Sequence, residues 1–305
     1  MIKEIIIDTD IGCDSDDAGA LATAYALQMH SKCRVTAITH CTSRIDGCNT
    51  IDAISRYYGV KDIPIGIYKP DGFLDNPNTA YYTKYVQAHF EHKFSSKNEC
   101  PDAVKILRRS LVNADNGNVS LIALGPSVNI SDLIDSNSDE ISKLSGKELI
   151  AQKQCNLIIM GGCFDKNLYK HLDNNAEWNI KQAIKAAKNV FENFPNKIDV
   201  IPFETGYDII TGKTLPPSEN NPVWVSYREF GHIGRSSWDP CAVLFAVEKN
   251  NDFWNISEIG NVSISDDGVS SFKTSLDGKH RIINPKNKNK ITECLESLIG
   301  FIPVF

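Results

Sequence analysis

The tightest constraint in this chain is Asp8-Thr-Asp10-Ile-Gly12-Cys-Asp14-Ser-Asp16-Asp17, which sets five carboxylates within ten residues. The preceding segment, Met1-Ile-Lys-Glu-Ile-Ile-Ile7, has an apolar end that reads as a buried strand. The segment that follows, residues 18–27, is rich in Ala and Leu and reads as a helix. The acids therefore fall on a strand-to-helix turn, at the carboxyl end of a strand, where open α/β sheets bind ligands. Asp8 and Asp10 are two apart, which on a strand puts them on one side. Gly12 lets the backbone turn tightly.

A helix N-terminus favours nearby carboxylates by ~0.3–1 kcal/mol each, which accounts for Asp16 and Asp17. It does not account for Asp8, Asp10 and Asp14, which repel their neighbours unless something positive neutralises them. The pattern predicts a hard cation: Ca²⁺ takes about 6–8 oxygen ligands and Mg²⁺ about six. Cys13 stands alone and no His interrupts the run, which argues against zinc. An EF-hand is excluded, because its loop needs Glu at the twelfth position. Counting from Asp8, Asp10 or Asp14 reaches Gly19, Leu21 or Tyr25.

With 305 residues, 42% of them apolar, the chain can bury a full core. A net charge of −6 with no basic block argues against nucleic-acid binding. No stretch of about 18 apolar residues occurs, so no membrane span is expected. The nine cysteines are odd in number and form no Cys-x-x-Cys, which points to reduced thiols. With no signal-peptide pattern after Met1, a cytoplasmic location is expected.

Strand and helix patterns alternate through the first two-thirds. Strands are expected at residues 33–39, 62–67, 119–124, 157–160 and 199–203, and helices at 49–58 and 82–90, with a Pro-, Asp- and Asn-rich loop over 69–80. This alternation argues for a mostly parallel sheet covered by helices on both faces. Residues 261–273 carry an Asp-Gly turn between alternating residues, a hairpin signal, and a last helix follows near 291–299. No linker or repeat appears, so residues 1–305 read as one domain.

Two enzyme families begin with such a turn. Haloacid dehalogenase-type phosphotransferases carry Asp-x-Asp-x-Thr, but here the fifth position is Gly12. The nucleoside hydrolase family carries Asp-x-Asp-x-Gly-x-Asp-Asp-Ala, and residues 8–18 resemble it closely with two residues added. Further segments resemble that family in order: Leu124-Gly-Pro-Ser-Val-Asn129, Met160-Gly-Gly162, Glu177-Trp-Asn179 and Trp238-Asp239.

The resemblance implies a Rossmann-like α/β fold, a calcium ion and a homodimer or homotetramer acting on a small-molecule nucleoside. It implies metal ligands at Asp10, Asp17, Asp239 and the Val128 carbonyl, with Asp10 as general base. Asp16, Glu177, Asn179, Met160 and Trp238 would contact substrate, and Asp8 and Asp14 would support the shell. There are departures. Cys41, beside His40, stands where the family has a ribose-directed Asn, and Tyr81-Tyr82 replace a His-Gly pair. Trp238 replaces a base-side His, and Asn174 or Asn175 would have to serve as the second sugar-contacting Asn. His40, His171, His232 and the segment Glu204-Thr-Gly-Tyr-Asp208 are further cavity candidates. The expected reaction is hydrolysis of ribonucleosides, purines preferred, with Trp238 and one of Tyr81, Tyr82 or Tyr85 stacking on the base. The alternatives are another ribosyl or glycosyl substrate, or a phosphohydrolase using Asp8 as nucleophile.

Overall fold

Ile5, Ile6 and Ile7 bury alternate side chains on opposite faces of one strand. Ile5 and Ile7 join one apolar core and Ile6 another, so both sides of the sheet are covered. Leu157 and Ile158 divide in the same way further along. The structure is a computed structural model and describes residues 2–76, 79–231 and 234–305. His232 therefore lies outside the described residues, as do Pro77 and Asn78 of the expected loop.

The strands are β1 (Lys3–Thr9), β2 (Cys33–His40), β3 (Ile65–Ile67), β4 (Val119–Ala123), β5 (Asn156–Met160), β6 (Ile198–Ile201), β7 (Ile210–Thr211), β8 (Arg235–Ser236), β9 (Trp254–Ile256), β10 (Gly260–Ile264), β11 (Ser270–Thr274) and β12 (His280–Pro285). The helices are α1 (Asp16–Met29), α2 (Ile45–Tyr57), α3 (Thr83–His89), α4 (Ala103–Asn113), α5 (Val128–Asp135), α6 (Gly146–Gln152), α7 (Trp178–Gln182), α8 (Ile184–Asn193), α9 (Phe203–Gly206), α10 (Pro222–Phe230), α11 (Trp238–Val247) and α12 (Lys288–Ile299).

Ten strands form one sheet, ordered β11-β10-β12-β6-β5-β4-β1-β2-β3 with β9 paired to β12. From β6 to β3 every pairing is parallel, and β12 extends that run in parallel with β6. Helices α1, α2, α10, α11 and α12 contribute to one core and α4, α5, α6 and α8 to the other. The expected open, mostly parallel sheet is what forms. The expected hairpin is β10–β11, closed at Gly268 (φ +88°), with Val262 opposite Phe272.

One difference has a clear cause. Helix α2 starts at Ile45 and takes in Asp46-Gly47, a dipeptide that reads as a turn. Gly47 is inside the helix because an added Cβ would lie 2.1 Å from His40 Nε2. Close packing against the neighbouring strand end overrides local preference. Among the described residues, no helix is long and apolar enough to cross a membrane. All nine cysteines are free thiols.

The order of strands places the carboxyl ends of β1, β4, β5 and β6 side by side. After β6 the chain enters the short helix α9, whose Gly206 meets the start of α11. A Cβ on Gly206 would lie 2.5 Å from Trp238 Cα and 2.6 Å from its N, both backbone atoms. Gly206→Ala should therefore cost about 2 kcal/mol by overpacking. The expected readout is a melting temperature lower by roughly 4 °C. An unchanged value would show that α9 and α11 need not approach so closely.

Candidate active site

The acidic turn is built from three levels of partner. β1 ends at Thr9, whose Oγ1 donates to Asp17 Oδ1 and accepts from the Ile11 N–H at 3.1 Å. Gly12 then takes φ +120°, a conformation glycine adopts without strain. Its N–H donates to the Tyr82 hydroxyl at 3.1 Å, and that hydroxyl donates to the Asp14 carbonyl at 2.8 Å. Asp16 and Asp17 open α1, while Asp239 is the second residue of α11. The two helices pack with these ends together: the Asp239 N–H donates to Asp16 Oδ2 at 3.1 Å. A first-turn N–H has no partner in its own helix, so the neighbouring helix supplies one.

One ligand oxygen from each of Asp16, Asp17 and Asp239 lies within 4.8 Å of the others, and all three residues are buried. Asp10 is also buried, and its Oδ2 has no hydrogen-bond partner among the described residues. Gly125, just past β4, makes room for it, since a Cβ there would lie 2.5 Å from Asp10 Oδ1. Burial first, and then the neighbouring carboxylates, push Asp16, Asp17 and Asp239 well above the usual carboxylate range. Burial raises Asp10 to about 6. Oxygen-only donors, mutual repulsion and a partnerless buried oxygen fit a hard divalent cation.

These acids open into a cavity of about 510 Å³. Met160 and the first turn of α7 line it beside them. Glu177 caps α7 and accepts from the N–H groups of Gly162 (3.0 Å), Asn179 (2.9 Å) and Ile180 (3.2 Å). Burial nonetheless raises its carboxyl to about 7. Glu177 is therefore a helix cap and a cavity wall at once. Asn179 Nδ2 donates to the Leu124 carbonyl at 2.8 Å and to the Met160 carbonyl at 3.2 Å, tying the ends of β4 and β5 together. Trp238 stacks on Phe203 (centroids 5.3 Å apart, 24° between planes) and donates from Nε1 to the Phe203 carbonyl at 2.7 Å.

Of the residues singled out in the sequence, Asp10, Asp14, Asp16, Asp17, Met160, His171, Glu177, Asn179, Trp238 and Asp239 line this cavity. Val128 opens α5, buried, and is not on the cavity wall. Asp8 is also off the wall. The strand ends one residue beyond it, and its Oδ1 is claimed by Thr39 Oγ1 (2.5 Å) and Asn129 Nδ2 (2.8 Å). That buried position leaves Asp8 no route to attack a phosphate, against the phosphohydrolase alternative. His40 is scaffold: buried, with Nε2 3.2 Å from the Ile11 carbonyl. Cys41 is buried behind Gly125, 2.7 Å from where a Cβ there would lie. Asn174 and Asn175 occupy a left-handed turn off the wall (φ +55° and +61°). Tyr82 is buried under the turn and Tyr85 stacks on His89, so of the three tyrosines Tyr81 alone lines the cavity. Glu204 accepts from the Phe164 N–H at 3.0 Å, and Asp208 pairs with Lys288 at the surface.

Sequence reasoning missed Arg235, Phe203 and Phe230, all on the wall. Arg235 holds Asp14 through Nε (2.9 Å) and Nη2 (2.6 Å), a contact between residues 221 apart that no local pattern announces. Asn129 lies inside the quoted Leu-Gly-Pro motif, and its role under Asp8 shows only in three dimensions.

Fold and cavity together define an α/β enzyme with a cation-fitted carboxylate centre at its strand ends. Residues 5–293 match the family model for inosine-uridine preferring nucleoside hydrolase, and the chain belongs to that family, the N-ribosyl hydrolases. Solved structures share the fold along nearly the whole chain. A plant nucleoside hydrolase superposes with TM-score 0.72 at 17% identity, covering 98% of this chain and 99% of its own. An inosine-guanosine nucleoside hydrolase gives 0.71 at 17%, with 98% and 99% covered. The type III effector protein XopQ, solved complexed with adenosine diphosphate ribose, gives 0.71 at 12%, with 100% and 95% covered. No curated protein matches the sequence.

A cation that binds only the folded state stabilises it by about 2.7 kcal/mol at a hundred times its Kd. Exhaustive chelation should therefore lower the melting temperature, and restoring a divalent cation should raise it again. Identical melting curves with and without chelator would count against a bound ion.

Proposed function

We propose that this protein hydrolyses the N-glycosidic bond of ribonucleosides, purine nucleosides first, with calcium as its metal. The observation that carries this is the convergence of four buried aspartates with Glu177 and Asn179 on one cavity. On the family pattern Asp10, Asp17, Asp239 and the Val128 carbonyl would hold the ion, while the oxygens within 4.8 Å of one another are those of Asp16, Asp17 and Asp239 and Val128 lies off the cavity wall. When bound, it supplies Lewis-acid chemistry, lowering the pKa of water and polarising ribose hydroxyls.

Asp10 takes the proton of the attacking water, its partnerless oxygen being the acceptor. Asp16 accepts from a ribose hydroxyl. Glu177 and Asn179 fix the sugar, the carboxylate and the amide Oδ1 accepting from ribose hydroxyls, since Asn179 Nδ2 is committed to the Leu124 and Met160 carbonyls. The reaction passes through an oxocarbenium-like state, and the surrounding carboxylates favour positive charge growing on the sugar. Asp8 and Asp14 stay outside this exchange and shape the turn. Asp10→Asn should lower kcat by about 10²–10⁴-fold while the fold survives. Wild-type turnover in that variant would remove Asp10 from the role of base.

Trp238 and Tyr81, with Phe203 and Phe230, give the cavity an aromatic side suited to a large flat base. Stacking adds ~1–3 kcal/mol per base in nucleic-acid complexes. Inosine or guanosine should therefore exceed uridine in kcat/KM, and Trp238→Ala should erode the difference. Equal turnover of uridine, or turnover of another ribosyl compound in place of any nucleoside, would redirect the assignment to a different substrate within the family.

A further inference from the structure

Asp14 is the acid on the cavity wall that the proposed chemistry does not use, and its partner Arg235 is the cation the sequence did not announce. Arg235 sits on the aromatic side of the cavity. Its guanidinium carbon lies 5.2 Å from the centre of the Trp238 ring and 5.6 Å from that of Phe230. Nε and Nη2 are spent on Asp14, whereas Nη1 has no hydrogen-bond partner among the described residues. The side chain is about one-third exposed, at 32%. An ion pair this open adds little stability. What it does is hold a long, flexible side chain in one orientation, with a donor to spare. β8, paired to β7 through Thr211 and Arg235, sets its backbone.

We propose that Arg235, clamped by Asp14, stabilises the departing base by donating a hydrogen bond to it and neutralising its charge. The proposal rests on the N-ribosyl hydrolase reading above. In that reaction the C1′–N bond breaks and its electron pair leaves with the base. Water oxygen bonds to C1′, and Asp10 takes the water proton. The base leaves as an anion paired to the guanidinium. It then takes a proton from solvent, and Asp10 releases its own to solvent, so the balance is nucleoside plus water to ribose plus neutral base. Arg235 stays protonated throughout, since arginine does not give up its proton in proteins. It acts as a fixed donor aimed at developing charge. The substrate class this selects is a nucleoside whose base carries a ring-nitrogen or carbonyl acceptor able to reach the guanidinium. Among the described residues the cavity wall also holds Lys181, paired with Asp173, and the exposed His171, with Nε2 3.2 Å from the Tyr207 hydroxyl; the test separates Arg235 from the histidine.

The test compares inosine with p-nitrophenyl riboside, whose nitrophenolate leaves without help. Arg235→Met should lose about 100-fold in kcat on inosine, the scale of losing one preorganised donor, and keep nitrophenyl riboside turnover within about threefold. Arg235→Lys keeps a charge beside Asp14 and should recover part of the inosine rate, which keeps the test decisive if the Met variant folds poorly. Asp14→Asn should lower kcat on inosine more than it raises KM, because the donor remains but is no longer aimed. Equal losses on both ribosides in the Met and Lys variants would overturn the assignment. So would a leaving-group-dependent loss found in His171→Asn or His232→Asn and absent in Arg235→Met. A wild-type protein inactive on both ribosides would overturn the hydrolase reading and this assignment with it.

Discussion

The structure depends on keeping like charges together out of water. Asp16, Asp17 and Asp239 place oxygens within 4.8 Å of one another, and at an effective dielectric of about 20 each ionised pair costs roughly 3 kcal/mol or more. Two helix N-termini meet at this point, each worth about half a positive charge. They offset part of the repulsion among three carboxylates and Asp10, and no more. A divalent cation would meet the remainder, and the all-oxygen donor set fits one. The same burial and mutual repulsion push these carboxyl pKa values above the usual carboxylate range.

Much of the surrounding packing follows from this requirement. Gly125 leaves space for Asp10, and Gly206 lets α9 touch the start of α11 so that Asp239 reaches Asp16. Thr9, Tyr82 and His40 bind the backbone or side chains of the turn from below, with no contact to the cavity. Each is a polar group buried at some cost, which is tolerable because each finds a partner. The sheet supplies rigidity: β1 lies between β4 and β2, parallel to both with one register shift against β2 between Ile5 and Ile6, so the acidic turn springs from a central strand. Sites built on such elements hold their geometry better than sites on loops.

The central strands were legible because Ile5, Ile6 and Ile7, and later residues 157–160, are short apolar runs ended by glycine or acid. The hairpin was legible because its Asp-Gly turn requires a positive φ. Less was visible where the signal is tertiary. Helix α6 has a full capping box, Ser145 with Glu148, yet its apolar face is short and easily passed over. Gly47 reads as a turn and lies in a helix, because what it avoids is a histidine on a neighbouring strand. At the site, residue types were readable and depth was not. Asp8 and Asp14 look equivalent in the sequence. Asp8 is buried by partners from β2 and α5, and Asp14 stands at the cavity wall with a partner from β8. No local rule could assign those places.

That division explains why one turn carries so many acids. A cavity lined by carboxylates alone favours positive charge on the sugar and opposes negative charge on whatever leaves it. Separating the two charges in one small volume needs a cation on the far side. Lys181 is on the wall, but it is paired with Asp173. Arg235 is held over the Trp238 and Phe230 rings, whose faces attract its guanidinium and help fix its place. A free arginine in such a cavity would fold back onto the buried aspartates and compete with a metal for them. Asp14, placed before Asp16 and Asp17 in the chain, intercepts the guanidinium first. On the proposed reading, the acid at this position keeps the two poles of the cavity apart, negative where the sugar would lie and positive where the base would lie.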